Sequence, residues 1–166
     1  MSNLAIIFAV AAAAATRAAP TPPPCAGAEY HQLDFWAGDW NVFQVSDNTQ
    51  VGTSHIERVM DGCGISEHYS APNAPGGAYE GVSYSGYNRG DGKWHQMYLD
   101  TNGNVTWYSG GLDGANMVLQ APGKSGGLQS MEYRPHADGS IEQIGTISTD
   151  YGRHWKPGYD YIYRKK

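Results

Sequence analysis

The stretch GISEHY, residues 64–69, sets one carboxylate among apolar and aromatic neighbours: Ile65, Glu67 and Tyr69 alternate with Ser66 and His68. Successive side chains of a β-strand face opposite sides, so the first three share a face. With Ile65 pointing into a core, Glu67 is an acid inside that core. Two further stretches repeat the arrangement with amides. Trp94, Gln96 and Tyr98 share a face in KWHQMYLD (93–100), and Ile141, Gln143 and Ile147 do so in SIEQIGTI (140–147). The expected inward set is therefore Glu67, Gln96, Gln143, Trp94 and Tyr98, with Ser83, Tyr87 and Trp107 as neighbours.

Buried carboxylates and amides are costly unless something pairs with them. Three solutions follow from these residue types. The groups can satisfy one another around trapped water, Glu67 bonding an amide or Arg134, which gives a structural or interaction module with a polar core. They can floor a pocket for a small, partly apolar and partly polar molecule, with Glu67, Ser83, Gln96, Arg134 and Gln143 orienting it between Trp94, Tyr98 and Trp107. Or Glu67, its pKa raised by burial, can act as a general acid or base. No second catalytic group at a defined spacing accompanies it.

Other constellations carry less. His31, His55, His68, His95, His136 and His154 never occur in ligand pairs, and His55, His68 and His95 fall on the outward parity. Two cysteines with scattered histidines give no zinc spacing, so no metal or other cofactor is expected. Cys25 and Cys63, an even pair, read as a disulfide in an exported chain. No glycine-rich loop leads into the lysine and helix that phosphate binding needs. Asn104-Val105-Thr106 is a glycosylation sequon, meaningful only in a eukaryotic secretory pathway.

Near the C-terminus, STDYGRHW (148–155) has the SxDxGxxW form of the Asp-box repeat found on sialidase propellers. A propeller needs one copy per four-stranded blade, and a single copy here reads as a hairpin clip. Asp150 accepts backbone N–H groups across the turn, Gly152 supplies the reversed backbone, and Trp155 folds over the hairpin.

Arg17 is the one charged residue before Cys25, so ten Lys and Arg face 16 Asp and Glu in the rest of the chain, a net charge of -6. That balance disfavours nucleic-acid phosphates and anionic membranes as partners. A small-molecule ligand, with the protein a monomer or small homo-oligomer, is the expected partnership. The opening MSNLAIIFAVAAAAATRAAP has an apolar stretch and a small-residue exit. Residues 1–19 read as a signal peptide too short to span a membrane, 20–29 as a Pro-rich leader, and no membrane anchor is expected. The expected location is secreted or periplasmic.

Among 166 residues, twelve Tyr and five Trp compensate for scarce aliphatic side chains, so the core should be aromatic and half polar. Asp91-Gly92, Asn102-Gly103, Asp113-Gly114 and Asp138-Gly139 are hairpin dipeptides separating short aromatic and β-branched runs. They predict about ten strands, at 40–46, 51–60, 64–70, 79–88, 93–100, 104–111, 115–120, 128–134, 140–148 and 154–164. At most one turn of helix fits EYHQLDFW. The expected fold is all-β, an antiparallel up-and-down barrel over residues 30–166.

Gly38-Asp39-Trp40 in DFWAGDWNV is similar to the GxW that opens the first lipocalin strand, and Arg164 stands where such barrels place a basic residue on the last strand. The wider pattern includes Asp34-Phe35-Trp36, GCGISE (62–67), KWHQ (93–96), GANMVL (114–119), DGSIEQ (138–143) and STDYGRHW. It resembles a lipocalin-like family of exported, mostly bacterial proteins of undefined function, over nearly all of residues 30–164. The resemblance implies a calycin-type barrel with Arg164 stacked on Trp40 to close its floor. It implies no activity. A related class of calycin barrels carries haem on one histidine, for which His154 is the only position in question, without the GxWxGxG opening.

Overall fold

Each of the four hairpin dipeptides makes its turn: Gly92, Gly103, Gly114 and Gly139 have φ of 70°, 79°, 62° and 82°, a region that a side chain disfavours. The computed structural model describes residues 24–123 and 126–166, so the expected signal peptide lies outside the described residues. Ten strands follow one another: β1 (Gly38–Gln44), β2 (Gln50–Val59), β3 (Gly64–Ala71), β4 (Tyr79–Asn88), β5 (Lys93–Asp100), β6 (Val105–Asp113), β7 (Asn116–Pro122), β8 (Leu128–Pro135), β9 (Ile141–Ser148) and β10 (Lys156–Lys165). Every strand pairs antiparallel with its sequence neighbours, and β10 pairs with β1 to close the barrel. Closure leaves no bare sheet edge. Among the described residues, no helix is long and apolar enough to cross a membrane.

One end of the barrel is plugged. EYHQLDFW forms two 3-10 turns, Ala28–His31 and Asp34–Trp36, rather than one turn of helix. They drop Leu33 and Trp36, both wholly buried, onto the barrel's own aromatic residues. The Trp36 ring lies 4.7 Å from that of Tyr133, Trp94 Nε1 donates to Gln32 Oε1 (3.0 Å), and Tyr30 meets Tyr87 edge-on at 5.4 Å. Arg58 pairs with Asp34 and donates to the Gly62 carbonyl (2.7 Å), holding the plug to the end of β2. A Cys25–Cys63 disulfide ties the start of this segment to the β2–β3 connection. Ile56, Ile65, Met117, Leu119 and Ile141 complete an apolar core beneath the plug.

The first strand opens on Trp40, fully buried, whose Nε1 donates to the Trp36 carbonyl (2.9 Å). The basic group on its ring is Lys165, not Arg164: Lys165 Nζ is 3.9 Å from the ring centroid and donates to the Ala37 carbonyl (2.8 Å). Register decides this, because Trp40 pairs across the closing seam with Lys165 and Asn41 with Arg164. Arg164 stacks instead on Phe43 at 4.7 Å and donates to Asn48 Oδ1 (2.7 Å).

The SxDxGxxW stretch is a hairpin between β9 and β10. Ser148 Oγ donates to Asp150 Oδ1 (2.8 Å) and accepts the Gly152 N–H (2.9 Å), while Asp150 Oδ1 also accepts the His154 N–H (2.9 Å). His154 Nδ1 meets Asp150 Oδ2 at 2.5 Å, and this bond foremost holds the carboxyl well below its usual range. Gly152 has φ 83°, and Trp155 lies against it.

Candidate functional site

Strands β2, β3 and β4 build the centre of the site. Across β3 and β4, Glu67 pairs with Ser83, and across β2 and β3, Ser54 pairs with Tyr69, one inward position along from Glu67. Ser54 Oγ donates to Glu67 Oε1 (3.0 Å) and Ser83 Oγ to Oε2 (3.2 Å). Glu67 is 6 % exposed. Burial pushes its carboxyl up to about 7, against the pull of the two serine hydrogen bonds. Two neutral hydroxyls are a thin shell for a carboxylate with room for about four acceptor bonds.

The amides are inward as expected, but their hydrogen bonds go to partners other than Glu67. Gln96 Nε2 donates to Ser85 Oγ (3.1 Å). Gln143 Nε2 donates to Met131 Sδ (2.8 Å), and Gln143 Oε1 accepts the Tyr163 hydroxyl (2.6 Å). Tyr133 Oη donates to Met131 Sδ (3.2 Å), the sulfur that Gln143 also meets, so Tyr133 and Gln143 line the same interior side by side.

Toward the unplugged end the inward positions are mostly tyrosines. Tyr98 is opposite Ser83, Tyr108 opposite Gln96, Tyr161 opposite Gln143 and Tyr159 opposite Gly145. Tyr79, Tyr98, Tyr108, Tyr159 and Tyr161 are only partly buried although they point inward. Their hydroxyls are linked: Tyr79 to Tyr98 (2.8 Å), Tyr79 to Asp100 Oδ2 (3.4 Å) and Tyr108 to Gln129 Oε1 (3.5 Å). Tyr159 and Tyr161 stack at 5.0 Å. Desolvation raises the phenols above their ordinary value. Asp100, at the rim, is held low by hydrogen bonds from Asn104, whose side-chain nitrogen reaches both carboxylate oxygens.

Two expected inward residues face out, and a third is exposed at the end of its strand. Trp107 is 63 % exposed, because Tyr108 takes the inward position opposite Gln96 and Trp107 pairs with the outward Met97. Arg134 follows the inward Tyr133, faces out, and pairs with Glu132 and Glu142 rather than Glu67. Ile147 keeps the face of Gln143 and Gly145, opposite Gln129, but stands exposed at the end of β9, next to Ser148, which caps the Asp150 hairpin. Ser83, Trp94, Gln96, Tyr98 and Gln143 are inward with Glu67, and Tyr87 packs between Tyr30 and Trp94 at the plugged end.

The histidines are solvated and each sits beside an acid: His31 with Asp34, His55 with Asp39, His68 with Glu80, His95 with Asp91, His136 with Glu142 and His154 with Asp150. Among the described residues, no group of three His, Cys, Asp or Glu side chains is placed to hold a metal ion.

Sequence reasoning missed Ser54 and Ser85, since serine is as common on a solvated face as on a buried one. It also missed Tyr159, Tyr161 and Tyr163, although their period-two spacing in YDYIY was a readable signal. Compared with known proteins, the chain matches no family model and no curated protein.

Proposed function

We propose that this protein is an exported calycin-type barrel, of the lipocalin-like kind its sequence resembles, that binds a small, partly apolar and partly polar molecule inside the barrel. One observation carries the reading: Glu67 is buried with two serine hydroxyls as its partners, beneath inward tyrosines that solvent still reaches. A pocket with apolar walls and a few convergent polar groups is the usual form of a small-molecule site. The disulfide and the Ala-rich start of the chain support export.

Native mass spectrometry of the protein purified from its own export compartment, set against its denatured mass, tests this. A reproducible extra mass lost on denaturation is the expected result, and a native mass equal to the bare chain counts against a resident ligand.

A second reading rests on the Glu67 carboxyl lying near neutrality, at about 7, where a group can both give and take a proton. Under it the barrel is an enzyme. Glu67→Gln then abolishes turnover of whatever the native mass identifies, whereas in a carrier the substitution changes affinity alone.

A further inference from the structure

Toward the unplugged end, the charged side chains on the inward face of β3–β5 are both acids. Glu67 lies deep and Asp100 at the rim, joined by a chain of neighbours: Tyr79 bonds both Asp100 and Tyr98, and Tyr98 is paired with Ser83, which donates to Glu67. Arg58 and Lys165, cations on the same face, are at the plugged end and already engaged, Arg58 with Asp34 and the Gly62 carbonyl, Lys165 with the Trp40 ring and the Ala37 carbonyl. Around the two carboxylates stand aromatic faces, which attract cations through their quadrupole, most strongly where water is excluded. A buried carboxylate without a counter-ion is costly. Resting on the small-molecule reading above, we propose that the barrel selects a small organic cation, an ammonium or amidinium group on a flat apolar body, with the charged head against Glu67 and the body among Tyr79, Tyr98, Tyr108 and Tyr161.

The charge logic predicts a pH signature. Phenols face Glu67 from β3 (Tyr69), β4 (Tyr79), β5 (Tyr98), β8 (Tyr133) and β10 (Tyr159 and Tyr163), and all are raised above their ordinary value and stay neutral. Asp100 is held low and stays charged, and Arg58 is paired with Asp34. Glu67 is then the group in the interior that titrates between pH 5 and 8. A cation must displace its proton, so binding strengthens as pH rises through about 7. An alkyl ammonium remains charged over that range.

The test is calorimetric titration of the disulfide-intact protein with 2-phenylethylamine, 2-phenylethanol and phenylacetate, at pH 8 and pH 5.5. The amine is expected to bind at least about tenfold more tightly than the alcohol and to weaken roughly 30-fold between the two pH values. In Glu67→Gln both differences should collapse, and the wild-type comparison stands even if that variant fails to fold. An alcohol or carboxylate that binds as well as the amine overturns the cation while leaving the small-molecule site intact. Binding by none of the three, together with a native mass equal to the bare chain, overturns both.

Discussion

The ring of Tyr159 lies flat against Gly145, so close that a Cβ added to Gly145 would stand 2.2 Å from the ring's Cε1. The two residues are register partners, and the missing side chain is what lets the ring lean across the sheet into the barrel. Gly145→Ala should therefore displace a site residue and cost about 1–3 kcal/mol, as overpacking does. Gly111, with open space where its Cβ would be, is the control, and Gly111→Ala should stay within about 0.5 kcal/mol. Urea unfolding of the two variants checks both.

Glu67 makes stability depend on pH in a defined direction. Its folded carboxyl titrates at about 7 against an ordinary 4.5, so between those values the folded state binds more protons than the unfolded one. The contribution is fully present below about 4.5 and is lost as pH rises through 7, to a total of about 3 kcal/mol. Thermal melts should fall from pH 5 to pH 8. Glu67→Gln should flatten that slope and be the more stable protein at pH 8.

The Cys25–Cys63 disulfide spans 38 residues of sequence, a loop whose closure stabilises by about 4 kcal/mol on chain-entropy grounds. Reduction, or Cys25→Ala with Cys63→Ala, should lower the melting temperature. It should also speed hydrogen exchange first in residues 28–36, the plug that the bond tethers. Protection of the central strands should fall less.

A double-mutant cycle separates the two basic residues of the last strand. Trp40→Leu with Lys165→Ala should show coupling of about 0.5–1 kcal/mol, the scale of an exposed cation–π contact. Trp40→Leu with Arg164→Ala should be additive, because Arg164 stacks on Phe43.

Turns and alternation made the architecture readable. Four Asp-Gly or Asn-Gly pairs marked four of the five hairpins from β4 to β9, and the ten observed strands lie within two residues of the expected ones. Inward faces were legible where apolar and polar residues alternate cleanly, as around Glu67, Gln96 and Gln143. They were not legible where neighbours share a chemistry. Trp107 and Tyr108 are adjacent aromatics, Arg164 and Lys165 adjacent cations, and in each pair the cross-strand register, a non-local quantity, decides which one turns inward. Ile147 has the face its spacing predicts, opposite Gln129, but stands at the end of β9, where alternation no longer implies burial. Of the two serines on Glu67, Ser83 was legible from its strand and Ser54 carried no signal of its own.

With Leu33 and Trp36 seated beneath a disulfide-tethered segment, the barrel is a cul-de-sac. On the small-molecule reading proposed above, whatever enters between the tyrosines must back out past them, which is not the geometry of a conduit. On that reading an incoming molecule cannot push a bound one out from behind. Release then precedes capture, and the proposed guest's dwell time is set at one doorway, the Asp100 rim.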